Sequence, residues 1–225
     1  MKNIENKSID MILCDLPFGT TQNKWDSVIN LIKLWEQYER IIKNNGCIAL
    51  FGQTPFDKVL GSSNLKMLKY EWIWEKSQGT GHLNAKKMPL KNHENILIFY
   101  KKPPTYHPQM VGDEIREVKR SGNKSKTTNY GQFIEIEKSD YCGRYPLTIQ
   151  YFKRDKEKLH PTQKPIALME YLIKTYTNEN EIVLDNCMGS GTTAIASINT
   201  NRNYIGFELD SSYFNLANER INKIS

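Results

Sequence analysis

The stretch that most constrains this chain is Ile182-Val-Leu-Asp185-Asn-Cys-Met-Gly189-Ser-Gly191-Thr-Thr193. Three apolar residues end in an acid, two glycines flank a serine, and Ala194 to Ile198 continues in a helical pattern. The order predicts a buried strand, a tight loop and a helix start. Glycines let the backbone approach a ligand closely, and a helix opening presents unpaired N–H groups. A second apolar run, Tyr204 to Phe207, ends in Glu208, 17 residues past Gly191. An acid at the tip of the next strand is placed to bind a ribose hydroxyl pair. A nucleoside-cofactor site at the C-terminal edge of a parallel sheet is therefore expected.

The loop leaves two nucleosides open. Gly189-Ser-Gly191-Thr-Thr-Ala194 fits the loose dinucleotide pattern G-x-G-x-x-A, which keeps a nicotinamide cofactor in play. Against it, Asp185 precedes the glycines, where a carboxylate repels a pyrophosphate but can hold an ammonium. No lysine follows the second glycine, so the loop is not an ATP-type P-loop. A cationic amino-acid nucleoside fits the charge better, and S-adenosylmethionine is that molecule.

Composition narrows the partner. A chain of 225 residues suits one large domain, or one domain with an inserted module. The net charge of +6 favours an anionic partner. Cys14, Cys47, Cys142 and Cys187 are scattered without a C-x-x-C pair, which argues against zinc and disulfides and for a reducing cytoplasm. No metal site is expected. The sequence shows no signal peptide, no membrane-length apolar run and no internal repeat.

Taken in order, Ile9 to Cys14 reads as a buried strand closed by Asp15-Leu-Pro-Phe-Gly19. Apolar positions Val28, Leu31, Trp35, Tyr38 and Ile42 predict a helix over 28–43, stopped by Asn44-Asn45-Gly46. Residues 47–51 form the next strand, so a right-handed parallel crossover is expected. A helix is predicted over 56–65. Strands at 70–74 and 95–100 flank a polar loop with Gly79, Gly81, Lys86 and Lys87. Residues 101–160 then lose this rhythm and carry 13 basic against 8 acidic residues, most of the chain's excess charge. That composition suggests an inserted recognition module, loosest around residues 121–128. A helix over 166–175, the cofactor strand and its helix, the Glu208 strand and a closing amphipathic helix (Tyr213, Leu216, Ala217, Ile221) complete the chain.

Asp15-Leu16-Pro17-Phe18 places an acceptor, a stiff turn and an aromatic ring at a strand's carboxyl end, where open α/β sheets bind ligands. The set suits a flat heterocycle bearing an amino group. Asp15 and the Leu16 carbonyl accept its two N–H bonds, and Phe18 stacks on its face.

With Trp74, Lys76 and His93-Glu94, then His160-Pro-Thr-Gln-Lys-Pro165, the Asp185 to Thr193 loop and Glu208, this motif resembles the amino-group DNA methyltransferases. The resemblance is to the beta arrangement, in which a D-P-P-Y-type motif precedes the cofactor motifs. It implies an α/β, Rossmann-like S-adenosylmethionine-dependent sheet with helices on both faces. It also implies methyl transfer to the exocyclic amine of a base flipped out of duplex DNA. Asp15, Leu16, Pro17 and Phe18 carry over to the target amine. Thr162, Gln163, Lys164, Pro165, Asp185, Cys187, Gly189, Gly191 and Thr192 carry over to the cofactor, and Glu208 to its ribose. Lys86, Lys87, Lys119, Arg120, Lys124 and Lys126 are candidates for DNA phosphates.

The expected organisation is a catalytic half over 1–100, a recognition module over 101–159 and a cofactor half over 160–225. A cognate restriction endonuclease and a second copy of the chain stand as possible partners. Leu16 replaces the family's usual Pro, and Phe18 its usual Tyr. Met1 lies only 14 residues before Asp15, so the first strand of the usual fold is expected to be missing. A leading Asp favours adenine N6. Cytosine N4 methylation and a catalytically weak DNA-binding subunit remain alternatives. His82 and His107 are expected at the surface, His160 in a turn, and Trp25, Trp35 and Trp72 in the core.

Overall fold

A computed structural model describes residues 1–19, 29–117, 140–156, 159–160 and 162–224. Val28, Trp25, residues 121–128, Lys119, Arg120, Lys124 and Lys126 lie outside the described residues.

Strand β1 (Ile9–Cys14) is buried along its whole length. Ile12 and Cys14 enter one core cluster, Met11 and Leu13 the other. Cover on both faces explains why the strand reads as an apolar run rather than an alternation. Asp10 anchors its start. One carboxylate oxygen meets Lys43 Nζ at 2.6 Å, and the other accepts the Ile182 N–H at 3.0 Å.

Helix α1 (Leu31–Ile41) begins at Asn30, whose side chain accepts the Lys33 N–H, and buries Leu34, Trp35, Tyr38 and Ile41. The helix stops earlier than the expected Asn44–Gly46 boundary. Ile42 turns extended and pairs with Ile9, opening β2 (Ile42–Gly52) directly. Burial of Ile42 in the sheet overrides the helical period. Asn44, Asn45 and Gly46 instead form an irregularity within β2, since Ile9 faces Ile42 while Met11 faces Cys47. Gly46 is needed there, because a Cβ would lie 2.8 Å from the Asp10 carbonyl oxygen.

Helix α2 (Phe56–Ser62) ends three residues short of expectation. Strands β3 (Leu68–Thr80) and β4 (Lys91–Phe99) pair antiparallel, and β3 absorbs Gly79 from the expected loop. Residues 81–90, including Lys86 and Lys87, are exposed.

The chain divides into two compact units, Met1–His107 with Thr148–Ser225, and Pro108–Leu147. The smaller holds an antiparallel pair, β5 (Val111–Glu117) and β6 (Asp140–Arg144). The compositional boundaries at 101 and 159 fall outside those at 108 and 147, because β7 (Ile149–Tyr151) returns to the main sheet beside β3.

The larger unit continues with α3 (Ile166–Tyr176), β8 (Ile182–Asp185), α4 (Thr192–Asn199), β9 (Asn203–Gly206) and α5 (Ser211–Asn222). Its seven-stranded sheet has the order β7-β3-β4-β2-β1-β8-β9. Only β4 runs against its neighbours among these strands. Helices α1 and α2 supply Trp35, Tyr38, Phe56 and Leu60 to one core. Helices α3 and α4 supply Leu168, Leu172, Tyr176 and Ala196 to the other. This is the expected Rossmann-like α/β layering. Residues 1–8 form turns ahead of β1, tied down by Arg40, whose guanidinium donates to the Ile4 carbonyl at 2.7 Å and the Met1 carbonyl at 3.0 Å. Trp35 and Trp72 are buried, and His82 and His107 exposed, as expected. Among the described residues no helix is long and apolar enough to cross a membrane.

Candidate active site

Parallel pairing of β1 with β8, and of β8 with β9, brings Asp15, Asp185 and Glu208 to one edge of the sheet. The loops after these strands line a single cavity of about 720 Å³, within the range of small-molecule sites. Asp15, Leu16, Pro17 and Phe18 form part of its wall, and Asp185, Cys187, Gly189, Thr192 and Glu208 another part. Two motifs some 170 residues apart in the chain thus meet in one crevice. Thr162, Gln163 and Lys164 also line it. Pro165 and Gly191 lie behind the wall as the N-cap residues of α3 and α4.

The acids around the β8 loop are held by neutral donors, and the Arg220 guanidinium donates to the Ser190 carbonyl at 2.5 Å. The Asp185 carboxylate, 3% exposed, accepts the Thr193 hydroxyl and the Cys187 N–H. Burial raises its pKa, and those two bonds oppose the rise. Gly189 and Gly191 adopt φ of 53° and 81°, the left-handed region that favours glycine. At Gly191 a Cβ would also stand 3.0 Å from the Ala217 Cβ, so α5 can pack directly on the loop. Glu208 bridges two segments, accepting the Gly189 N–H at 2.7 Å and the Asp210 N–H at 2.9 Å. A carboxylate has about four lone-pair sites, so capacity for a diol remains.

The β1 loop is held by full charges. The Lys164 ammonium pairs with Asp15 Oδ2 and stands 3.3 Å from Glu94 Oε2, while Lys76 meets Glu94 Oε1 at 2.5 Å. Burial pushes the Asp15 carboxyl up to about 6, with Lys164 pulling against it and Glu94 adding to it. Burial also disfavours the charge on Lys164, but Asp15 and Glu94 outweigh it and hold its pKa above the usual lysine value. For Glu94 the two ammonium groups overcome burial and keep the carboxyl below its ordinary range. Phe18 is half-buried, packs against both core clusters, meets the Phe56 ring at 5.2 Å between centroids and also lines the cavity.

Sequence reasoning did not single out several lining residues. Asn186 is bonded to the Tyr38 hydroxyl, and Asp155 Oδ2 accepts from Gln163 Nε2 and the Ile166 N–H, each at 3.2 Å. His160, read as a turn residue, packs against Tyr213 at 4.3 Å between ring centroids, and both line the cavity. Tyr213 read only as part of an amphipathic stripe. Its position right after a strand-tip acid and a helix cap was the available signal. Lys86 and Lys87 do not line the cavity.

The chain matches a family model described as "DNA methylase" (N6/N4 methylases) over residues 9–219. It is 41% identical to the Type II methyltransferase M2.LlaDCHI of Lactococcus lactis subsp. cremoris, over 99% of this chain and 86% of that protein. It is 28% identical to the DNA adenine methyltransferase YhdJ of Escherichia coli (strain K12), over 100% of this chain and 80% of that protein. The crystal structure of the M1.HpyAVI–SAM complex superposes with a TM-score of 0.65 at 25% identity, covering 97% of this chain and 90% of that one.

Cavity size, the glycine loop and the Glu208 acceptor fit S-adenosylmethionine. The nicotinamide alternative falls away with the family match. The chain belongs to the N6/N4 amino-group DNA methylase family and transfers a methyl group from S-adenosylmethionine to the exocyclic amine of a DNA base.

Proposed function

We propose that the target is adenine N6, and that Asp15, Leu16, Pro17 and Phe18 receive it. One observation carries the reading. Asp15 Oδ1 is buried in the cavity wall and has no hydrogen-bond partner among the described residues, although Lys164 holds the other oxygen. A buried, unsatisfied acceptor is costly unless a ligand completes it. The amine hydrogens of a flipped base are suitable donors. A full carboxylate at this position favours adenine, and the similarity to a protein named DNA adenine methyltransferase supports the same choice.

When bound, S-adenosylmethionine supplies an electrophilic sulfonium methyl group. The exocyclic amine is a poor nucleophile because its lone pair is delocalised into the ring. Asp15 Oδ1 and the Leu16 carbonyl accept its two hydrogens and favour a tetrahedral nitrogen with a localised lone pair. Positioning then supplies most of the rate. The alkylated nitrogen is acidic, so no strong base is needed beforehand, and Asp15 is placed to take the released proton. Base flipping costs about a few kcal/mol. Stacking on Phe18 offsets part of that, and Pro17 stiffens the turn.

On the cofactor side, Thr162, Gln163, Lys164, Pro165, Asp185, Cys187, Gly189, Gly191 and Thr192 frame the methionine end. Asp185 faces its ammonium and Glu208 its ribose. Lys86 and Lys87, on the exposed β3–β4 connection, contact phosphates. The segment over 101–159 reads the recognition sequence.

Long-read sequencing of DNA from cells expressing the chain tests the reading. N6-methyladenine at one short motif, absent with Asp15→Ala, is expected. N4-methylcytosine at that motif establishes the alternative target, and an unmodified genome favours the weak DNA-binding subunit.

A further inference from the structure

Four buried or nearly buried charges alternate along one row: Lys76 on β3, Glu94 on β4, Lys164 ahead of α3, and Asp15 at the end of β1. Such a row is a poor way to stabilise a fold. Desolvating each ion costs several kcal/mol, and apolar residues of similar volume often do as well. Its arrangement around one atom is more telling. Lys164 Nζ pairs with Asp15 Oδ2, lies 3.3 Å from Glu94 Oε2, reaches the Thr162 carbonyl at 3.4 Å and stands 5.0 Å from the Phe51 ring centroid. Lys76 occupies the far oxygen of Glu94 and stands 5.2 Å from the Trp74 ring centroid. The ammonium is therefore fixed from several sides, and Asp15 Oδ1 is left without a partner among the described residues.

We propose that Lys164 is a positioning residue for methyl transfer: it locks one oxygen of Asp15, is itself held by Glu94 and Lys76, and so presents the other oxygen, ionised, to the target amine. The inference rests on the assignment of Asp15 to that amine. A free carboxylate can rotate and offer either oxygen, whereas one already engaged by Lys164 can offer only Oδ1. Ionisation matters equally. A protonated Asp15 can place a hydrogen where the amine needs an acceptor. The charged groups facing Asp15 are Lys164, Glu94 and Asp185, with Lys76 acting through Glu94. Burial, Glu94 and Asp185 all favour the neutral acid, and Lys164 opposes them. Removing Lys164 and removing the charge of Glu94 should therefore act in opposite directions.

The pH profile of single-turnover methyl transfer, with the full chain saturated in S-adenosylmethionine and DNA, tests this. Lys164→Met is expected to move the acidic limb upward by about one pH unit or more. Glu94→Gln is expected to move it downward. Lys164→Arg, which keeps the charge, should leave the limb near its wild-type position even where the rate falls. A purely structural role lowers the rate equally at every pH. If Lys164→Met does not fold, the sign of the Glu94→Gln shift still decides. Limbs that stay in place, or an upward move in Glu94→Gln, overturn the proposal. Asp15→Ala, measured alongside, separates the two claims: retained transfer there defeats the assignment of Asp15 itself.

Discussion

The two loops that share the cavity are built on different physics. Around the β8 loop the acids bond to neutral groups, Asp185 and Glu208 taking hydroxyl and backbone N–H donors on their carboxylate oxygens, while the Arg220 guanidinium donates to the Ser190 carbonyl and hydroxyl. The β1 loop is ionic, with one oxygen of Asp15 paired to a lysine and the other buried without a hydrogen-bond partner among the described residues. The first arrangement suits a ligand that must be held in one pose, because its hydrogen bonds are formed in advance. The second suits a group whose hydrogen-bonding demand changes during the reaction, because one acceptor is left unpaired for the target. Preorganisation is thus divided, with shape on one side and electrostatics on the other.

The largest effect expected from breaking the neutral side is at Gly191. Gly191→Val forces a β-branched residue to φ of 81° and against Ala217. Backbone strain of about 1–3 kcal/mol, with the clash added, should weaken cofactor binding about 100-fold. Calorimetry with a melting curve as control checks this. On the ionic side, Phe18→Ala removes the stacking face. At about 1–3 kcal/mol per base, the KM for DNA should rise roughly 5- to 150-fold while cofactor affinity stays put. Phe18→Tyr should change little, since the ring is kept.

A subtler asymmetry appears with pH. Burial pushes the Asp15 carboxyl up to about 6, so kcat/KM should fall about tenfold per unit below that point as the acceptor is protonated. Burial pushes the pKa of His160, which lines the cavity, below the usual histidine value, with Glu208 and Asp210 pulling against it. Cofactor affinity measured at pH 5.5 and 7.5 should change far less than turnover. The smallest effect lies outside both loops. Lys86→Ala and Lys87→Ala should each reduce the salt dependence of DNA binding by a slope of about 1, uniformly across sequences.

The same division governs what the sequence disclosed. Features set by local grammar were legible: the apolar strands, the glycines of the β8 loop, Asp15 to Phe18, and the acid after β9. Each is written within a few residues, because a strand end, a turn and a helix start are local events. The ionic network was not legible. Lys164 was grouped with the cofactor residues by motif, yet its ammonium lies with Asp15, 149 positions away in the chain. Only the order of strands brings Lys76, Glu94 and Lys164 together. The end of α1 was misplaced for a related reason. Its apolar period continues to Ile42, and only the partner Ile9 reveals that Ile42 belongs to the sheet.

The division of labour between the two loops is tested most directly by a crossed comparison of Asp15→Ala and Glu208→Ala, with S-adenosylmethionine affinity and single-turnover rate at saturation measured for both. Asp15→Ala is predicted to keep the affinity within about threefold and lose the rate by about a thousandfold or more, an oxyanion-scale electrostatic loss. Glu208→Ala is predicted to lose about 10- to 100-fold in affinity, in keeping with charge-assisted hydrogen bonds, and to keep most of the rate. If either variant loses both quantities together while remaining folded, the two loops do not divide the task as described.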